Sequence, residues 1–527
     1  MIYHCEDHTC NYWDEGEKLP ERCPQCGRKL LRANEADMTG DDWTALGNTL
    51  WDAEASDKKR MVDCFRKAAY LGSAWGVCNL GICMEQGNGV EADPVQAFWL
   101  YQQAVEMGSL NAVCCLGVCY EHGIGTAPDA KQAAELYCKA AEYGSPRGQM
   151  LLAHAFHDGI GVEADAAEAV HWVRAAAYQR YGEGMYRLGV CYEYGDGVEQ
   201  NWEHAVHWFR EAAESGVSAA MTDLGYCYEK GCGVEQSWEQ AFSWYRRGAE
   251  CGYPVSMSNL GLCYKRGYGV EQNWQEAIKW YEQGAQCGNL QSMHNLACCY
   301  ERGEGVEQNM TEAIRWYTAA AEGGNADAMH NLGWLYDHGE GVEQDMKKAI
   351  CWYERAAEQN HPAAMNSLGE CYAMGRGVPR DLETAMEWYR RAAELGEAMA
   401  DYNMGWHLEQ AGKLSEAYAH YRKAADGNDD SAWWALGRFY ENGVVVAQDG
   451  KEARRCYETG EKLGSVKCKM RLARCKLLGI GGRRAKKAGL DLCRQALELA
   501  KESSEKEDYG YEAEMNLLRR TIAENES

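Results

Sequence analysis

The apolar positions of this chain follow a pattern that returns at a fixed step. A Leu followed by Gly, or a close variant, stands at Leu46, Leu80, Leu116, Leu152, Leu188, Leu224, Leu260, Leu296, Leu332 and Leu368, then at Met404, Leu436 and Leu472. The steps are 34, nine of 36, then 32 and 36, which makes about 13 units over residues 40–500. In the unit near Val255, Met257, Leu260, Cys263 and Tyr264 share one face of a 3.6-residue helix. Gly267-Tyr268-Gly269-Val270 breaks that helix, and Ala277, Trp280, Tyr281, Gly284 and Ala285 form one face of a second, which Gly288 ends. Two helices per repeat of this length predict an all-α solenoid.

The start of the second helix is marked in unit after unit. Thirteen residues past the Leu stand Asp93, Asp129, Asp165, Asn201, Ser237, Asn273, Asn309, Asp345 and Asp381, all good N-caps. Gln96, Gln132, Glu168, Gln240, Glu276 and Glu312 follow three residues later, as in a capping box.

The recurring pattern L-G-x-C-Y-x-x-G-x-G-V-E-Q-[ND]-x-x-x-A-x-x-W-Y-x-x-A-A-E-x-G resembles the Sel-one-like repeat, a relative of the tetratricopeptide repeat. The resemblance implies a right-handed α/α superhelix, whose members act as non-catalytic adaptors that hold a partner protein or peptide in a concave groove. The units at Leu46, without a G-x-G loop, and at Met404, turning through Gln410-Ala411-Gly412-Lys413, look closer to plain tetratricopeptide repeats.

Repetition also assigns roles. Trp172, Trp208, Trp244, Trp280, Trp316, Trp352 and Trp388 occupy one repeat position, which predicts packing between stacked units, since one helix pair cannot bury its own apolar face. The G-x-G loops, such as Gly303-Glu304-Gly305, lack the strand and third glycine of a phosphate site and supply positive φ instead. Cys119, Cys191, Cys227, Cys263, Cys299 and Cys371, three residues past the Leu, read as reduced core thiols and imply a cytoplasmic compartment.

Recognition is expected where repeats differ. By the same resemblance, the positions two before, two after and five after the Leu line the groove. They include Tyr226, His294, Glu301, His330, Trp334, Asp337, Asn366, Tyr402, Trp406 and Glu409, among which the aromatic side chains could anchor a peptide. One edge of this face is acidic, with Glu85, Glu121, Glu193, Glu229, Glu301, Asp337, Glu409 and Glu441, and would favour a basic partner. His154 and His157, with His122 nearby in repeat order, suggest a metal only weakly, because nothing supplies a third ligand.

The two ends differ from the repeats. Residues 1–35 contain Cys5, Cys10, Cys23 and Cys26, four thiolates able to close one structural zinc site. Cys23-Pro24-Gln25-Cys26-Gly27 looks like a zinc-ribbon or rubredoxin-like knuckle. The unmatched first knuckle weighs against redox iron, the alternative metal reading. At the other end, residues 462–487 hold ten basic side chains and no acidic one, among them Lys467, Lys469, Arg471, Arg474, Lys476, Arg483 and Arg484. This patch suggests an acidic partner, nucleic acid or self-association. Residues 501–527 should cap the last apolar face.

Composition narrows the function classes. The 54 basic and 80 acidic side chains leave a net charge of −26, which disfavours nucleic-acid binding by the chain as a whole. No run approaches the ~20 apolar residues of a membrane span, and the first residues, Met1 to Cys5, do not look like a secretory signal. No Ser-His-Asp set, H-E-x-x-H pair or Walker loop occurs, and nothing points to a small-molecule ligand.

Overall fold

The computed structural model describes residues 2–5, 13–15, 30–32, 35–51, 55–506 and 511–526. They fall into two compact units, Met1–Asn273 and Trp274–Ser527. The first holds three short strands and the helices from Gly40–Thr49 to Pro254–Arg266, and the second holds those from Trp274–Gln286 to Glu512–Glu526. In chain order the described helices run as 13 two-helix repeats, followed by the helix Glu512–Glu526.

Side-chain capping marks the start of many of the helices. Of the predicted caps, Asp93, Asp129, Asp165, Asn201, Ser237, Asn309, Asp345 and Asp381 accept a backbone N–H of the first turn. A reciprocal capping box forms at Thr39–Asp42. The first helices have caps of their own, such as Ser73, Ser109, Asn289 and Asp429, which obey the same rule.

The loop glycines have two jobs. In Gly159-Ile160-Gly161 the first glycine (φ 73°) ends the helix in the left-handed region. The second (φ 69°) lies so close to the preceding repeat that a Cβ would strike the Ala130 carbonyl. The loop of one repeat thus rests on the start of the previous repeat's second helix, and a phosphate cradle is not what the glycines serve.

The core differs from the sequence expectation in one respect. The seven repeated tryptophans are only half-buried. The largest wholly buried side chains are instead Tyr101, Tyr137, Tyr245, Tyr281, Tyr317, Tyr353, Tyr389, Tyr421 and Tyr457, most of them one residue past the tryptophan position. Consecutive helical residues point ~100° apart, so Tyr and Trp cannot both face the partner helix. The Gly after the Leu makes room for the Tyr: a Cβ at Gly333 would lie 2.7 Å from the Tyr353 ring. The tryptophans flank this core, and several carry a guanidinium, with Arg315 4.3 Å from the Trp316 ring centre and Arg355 4.3 Å from that of Trp352. Cys119, Cys227, Cys263, Cys299 and Cys371 are buried thiols outside any disulfide, as expected, while Cys191 is half-buried.

At the N-terminus β1 (Ile2–Cys5) pairs antiparallel with both β2 (Trp13–Glu15) and β3 (Leu30–Arg32), giving the order β2-β1-β3. Cys5 ends β1, whereas the proposed ligands Cys10, Cys23 and Cys26 lie outside the described residues. At the C-terminus Lys486–Lys506 completes the final repeat and Glu512–Glu526 covers it, with Cys493, Ala496, Met515 and Leu518 buried together with Met470 and Leu477.

Candidate functional site

Within each unit the first helices of successive repeats touch one another, as Ala74–Gln86 touches Leu110–His122. Their shared face forms an inner wall, and the side chains proposed for recognition stand on it. The structure divides them into two groups.

The first group is occupied internally. The acidic edge faces the buried tyrosines 16 residues later, with Tyr137 donating to Glu121 at 2.6 Å. Tyr101 pairs likewise with Glu85 (2.6 Å), Tyr245 with Glu229 (2.8 Å), Tyr317 with Glu301 (2.6 Å) and Tyr457 with Glu441 (2.8 Å). In the shorter unit Tyr421 donates to Glu409 at 2.8 Å. The stripe therefore serves first to satisfy buried hydroxyls, which corrects its reading as a row of carboxylates free for a basic partner. Burial and the adjacent carboxylates push these tyrosines well above the usual phenol range. Glu193 is the exception, because Phe209 stands in the tyrosine's place and has no hydroxyl to offer.

A second internal contact crosses several seams within the second unit. The residue two before one Leu meets the residue one before the next: Asn331 Nδ2 donates to His294 Nε2 (3.2 Å), His330 Nε2 lies 3.3 Å from Ser367 Oγ, and Asn403 Nδ2 donates to Asn366 Oδ1 (3.0 Å). His330 also stacks on His361 (5.1 Å between ring centres), and burial holds its pKa down to about 4. Asp337 is only 3 % exposed and accepts from Arg376 at 3.0 Å, while Asn366 is buried and donates to Glu370 at 3.2 Å. Asp337 and Asn366 thus hold repeats together and do not face an open groove. Both contacts escape a reading by helical periodicity, since they join residues 16 or about 37 positions apart; the matched recurrence of Tyr and acid was the available signal.

The second group stays open. Tyr226 is 43 % exposed and Leu262 38 % in the first unit, and Trp406 is 37 % exposed in the second. All three stand two residues past the repeat Leu or Met. Trp334, at the same position, is half-buried and stacks on His338 at 4.3 Å, and Tyr402 is half-buried beside Tyr421.

The basic C-terminal block does not form one patch. Arg471 bonds both carboxylate oxygens of Glu514 (2.6 and 2.7 Å) and reaches Glu441 at 3.3 Å; Arg474 also pairs with Glu441. Lys467 is half-buried over Trp434 and Tyr511, and burial lowers its pKa. Arg484 donates to the Leu477 carbonyl and Asn525, Lys469 and Lys476 are half-buried, and Arg483 is exposed. Arg471 and Arg484 therefore secure the terminal helix and Arg474 joins two repeats, which corrects the reading of Arg471 and Arg474 as partner-facing.

In the first unit, a 410 Å³ cavity is lined by residues including Arg147, His154, His157, Arg187 and Asp196. Its histidines pair with carboxylates: His154 with Asp158 (3.1 Å) and His157 with Asp158 (2.5 Å) and Asp196 (3.2 Å). Among the described residues no group of three or more His, Cys, Asp or Glu is placed to hold a metal, and no helix is long and apolar enough to cross a membrane.

Comparison with known proteins agrees with this geometry. A protective antigen present in uropathogenic Escherichia coli strains, displaying an SLR fold, is similar at 29 % identity over 88 % of this chain and 94 % of its own, with a TM-score of 0.55. A Sel1 repeat protein from Oxalobacter formigenes is 31 % identical over 46 % of this chain and 96 % of its own, with a TM-score of 0.43. No curated protein matches the chain. The Sel1 repeat pattern matches eleven consecutive segments: 76–109, 112–145, 146–181, 182–217, 218–253, 254–289, 290–325, 326–361, 362–397, 398–429 and 432–465. The short repeat around Met404 is among them, so it is a Sel1 repeat despite its altered turn. The chain belongs to the Sel1 repeat family.

Proposed function

We propose that the chain is a non-catalytic scaffold that binds a partner protein or peptide along the inner wall of its first helices. The observation that carries this reading is the contrast within that wall. Its polar positions are largely spent on Tyr–acid and seam contacts, while Tyr226, Leu262 and Trp406 remain exposed at one repeat position. Exposed aromatic and aliphatic side chains on a rigid, preformed surface are what a peptide's apolar residues can bury against. Selecting peptides from a displayed random library against the purified chain tests it. Binders should lose about tenfold or more in affinity on Trp406→Ala or on the Tyr226→Ala, Leu262→Ala pair, with helical circular dichroism unchanged. Binders indifferent to all three substitutions would remove the proposal.

A second reading concerns the N-terminus. Four cysteines within the first 26 residues, the first of them ending the first strand of a short antiparallel sheet, support a structural zinc ion held by Cys5, Cys10, Cys23 and Cys26. The ion would supply stability to a segment too small to fold on a hydrophobic core. One zinc per chain by elemental analysis, lost on Cys23→Ser, is the expected result; coloured iron protein would contradict it.

A further inference from the structure

The seam contact between successive repeats has one unusual occupant pair. Elsewhere its two positions hold His294 with Asn331, His330 with Ser367, Asn366 with Asn403, and Tyr186 with Asp223. Between the repeats at Leu80 and Leu116 the same two positions are Cys78 and Cys115. Both thiols are free and buried, and they occupy the two positions that meet across the other seams. Two further side chains close a ring around them. Arg147 donates from one guanidinium nitrogen to Cys115 Sγ (3.5 Å) and to Asn111 Oδ1 (2.8 Å), and Asn111 Nδ2 lies 3.9 Å from Cys78 Sγ. Among the described residues no carboxylate forms an ion pair with Arg147. Arg147 is also one of the residues lining the 410 Å³ cavity.

We propose that Cys78 and Cys115 are an oxidation site: hydrogen peroxide converts them into a disulfide that ties the helix Ala74–Gln86 to Leu110–His122. Cys115 is the attacking sulfur. Contact with Cys78 and the Arg147 charge, acting against burial, hold its pKa below the usual thiol value, whereas burial takes Cys119 and Cys83, without such partners, up to about 12 and 11. The Cys115 thiolate attacks one peroxide oxygen, the O–O bond breaks, and the departing oxygen leaves as water after taking a proton, with Cys115 now a sulfenic acid. The Cys78 sulfur, giving up its proton, then attacks the Cys115 sulfur, and the S–O bond breaks to release a second water. Two thiols lose two electrons in all and the peroxide gains them. Arg147 is a positioning residue: it holds the thiolate form and takes no part in bond exchange.

The test uses the reduced full-length protein. Iodoacetamide should label Cys115 ahead of Cys119 and Cys114 under native conditions. After hydrogen peroxide treatment and thiol blocking, cleavage at Glu85, Glu91 and Glu106 separates the two cysteines, and mass spectrometry without reductant should find their peptides linked. The link should vanish in Cys78→Ser and in Cys115→Ser, and should form about tenfold more slowly in Arg147→Gln. The wild-type measurement decides even if a variant folds poorly. Cys78 and Cys115 remaining blockable while the exposed Cys251 and Cys287 oxidise would overturn the proposal, and so would linkage of Cys115 to any other cysteine. An unchanged rate in Arg147→Gln would remove the role of the arginine.

Discussion

Tyr317 donates a 2.6 Å hydrogen bond to Glu301, sixteen residues earlier, while its ring fills the space beside Ala297 where most repeats carry glycine. The side chain is an apolar wedge with a polar end, and the carboxylate lets that end be buried. Removing only the hydroxyl in Tyr317→Phe should cost ~1.5–3 kcal/mol, the range for hydrogen bonds to charged groups. Tyr317→Ala should cost ~3–5 kcal/mol, and more than Trp316→Ala, because the neighbouring indole is only half-buried. Urea unfolding of the three variants checks the order. The chain contains a natural control: Phe209→Tyr should supply the hydroxyl that Glu193 lacks and leave stability equal or higher.

His330 predicts a dependence on pH. Its folded pKa is held near 4 by burial, with the His361 ring as the second cause, against an ordinary value near 6.5. Below pH ~6.5 the unfolded chain therefore binds a proton that the folded chain refuses, and stability falls as pH drops from 6.5 towards 4. The loss approaches about 3 kcal/mol at the lower end. His330→Asn should flatten this slope in urea unfolding followed between pH 7 and 5.

Two glycines with similar backbone angles should respond differently to alanine. Gly144 (φ 82°) has nothing within 4 Å of a new Cβ, so Gly144→Ala costs only the left-handed backbone, ~1–2 kcal/mol. Gly161 (φ 69°) has that cost plus a collision with the Ala130 backbone, so Gly161→Ala should lower the melting temperature clearly further. Equal shifts would contradict the inter-repeat contact assigned to this loop.

The terminal helix is held by charge as well as by apolar contact. Arg471 and Glu514 are 14 % and 7 % exposed, and removing one partner strands the other away from water. Arg471→Met should cost ~3 kcal/mol and raise hydrogen exchange selectively in residues 512–526. Uniform exchange along the chain would mean that the pair does not anchor this helix.

The sequence by itself determined the repeat length, the two-helix unit, the caps and the turns, because each is decided within a few residues by backbone hydrogen bonding and φ. Asp165 caps its helix and Gly159 ends the one before it for reasons visible in one stretch of chain. It did not decide which of two adjacent aromatic residues becomes the core, since Trp316 and Tyr317 recur with the same period and differ only by the turn of the helix. Nor did it separate surface carboxylates from internal ones. Glu301 and Asp337 look like a solvated stripe until the second helix folds back and brings a tyrosine hydroxyl or Arg376 against them. Those outcomes depend on which side chains compete for one buried space, and only the packed tertiary structure settles that competition.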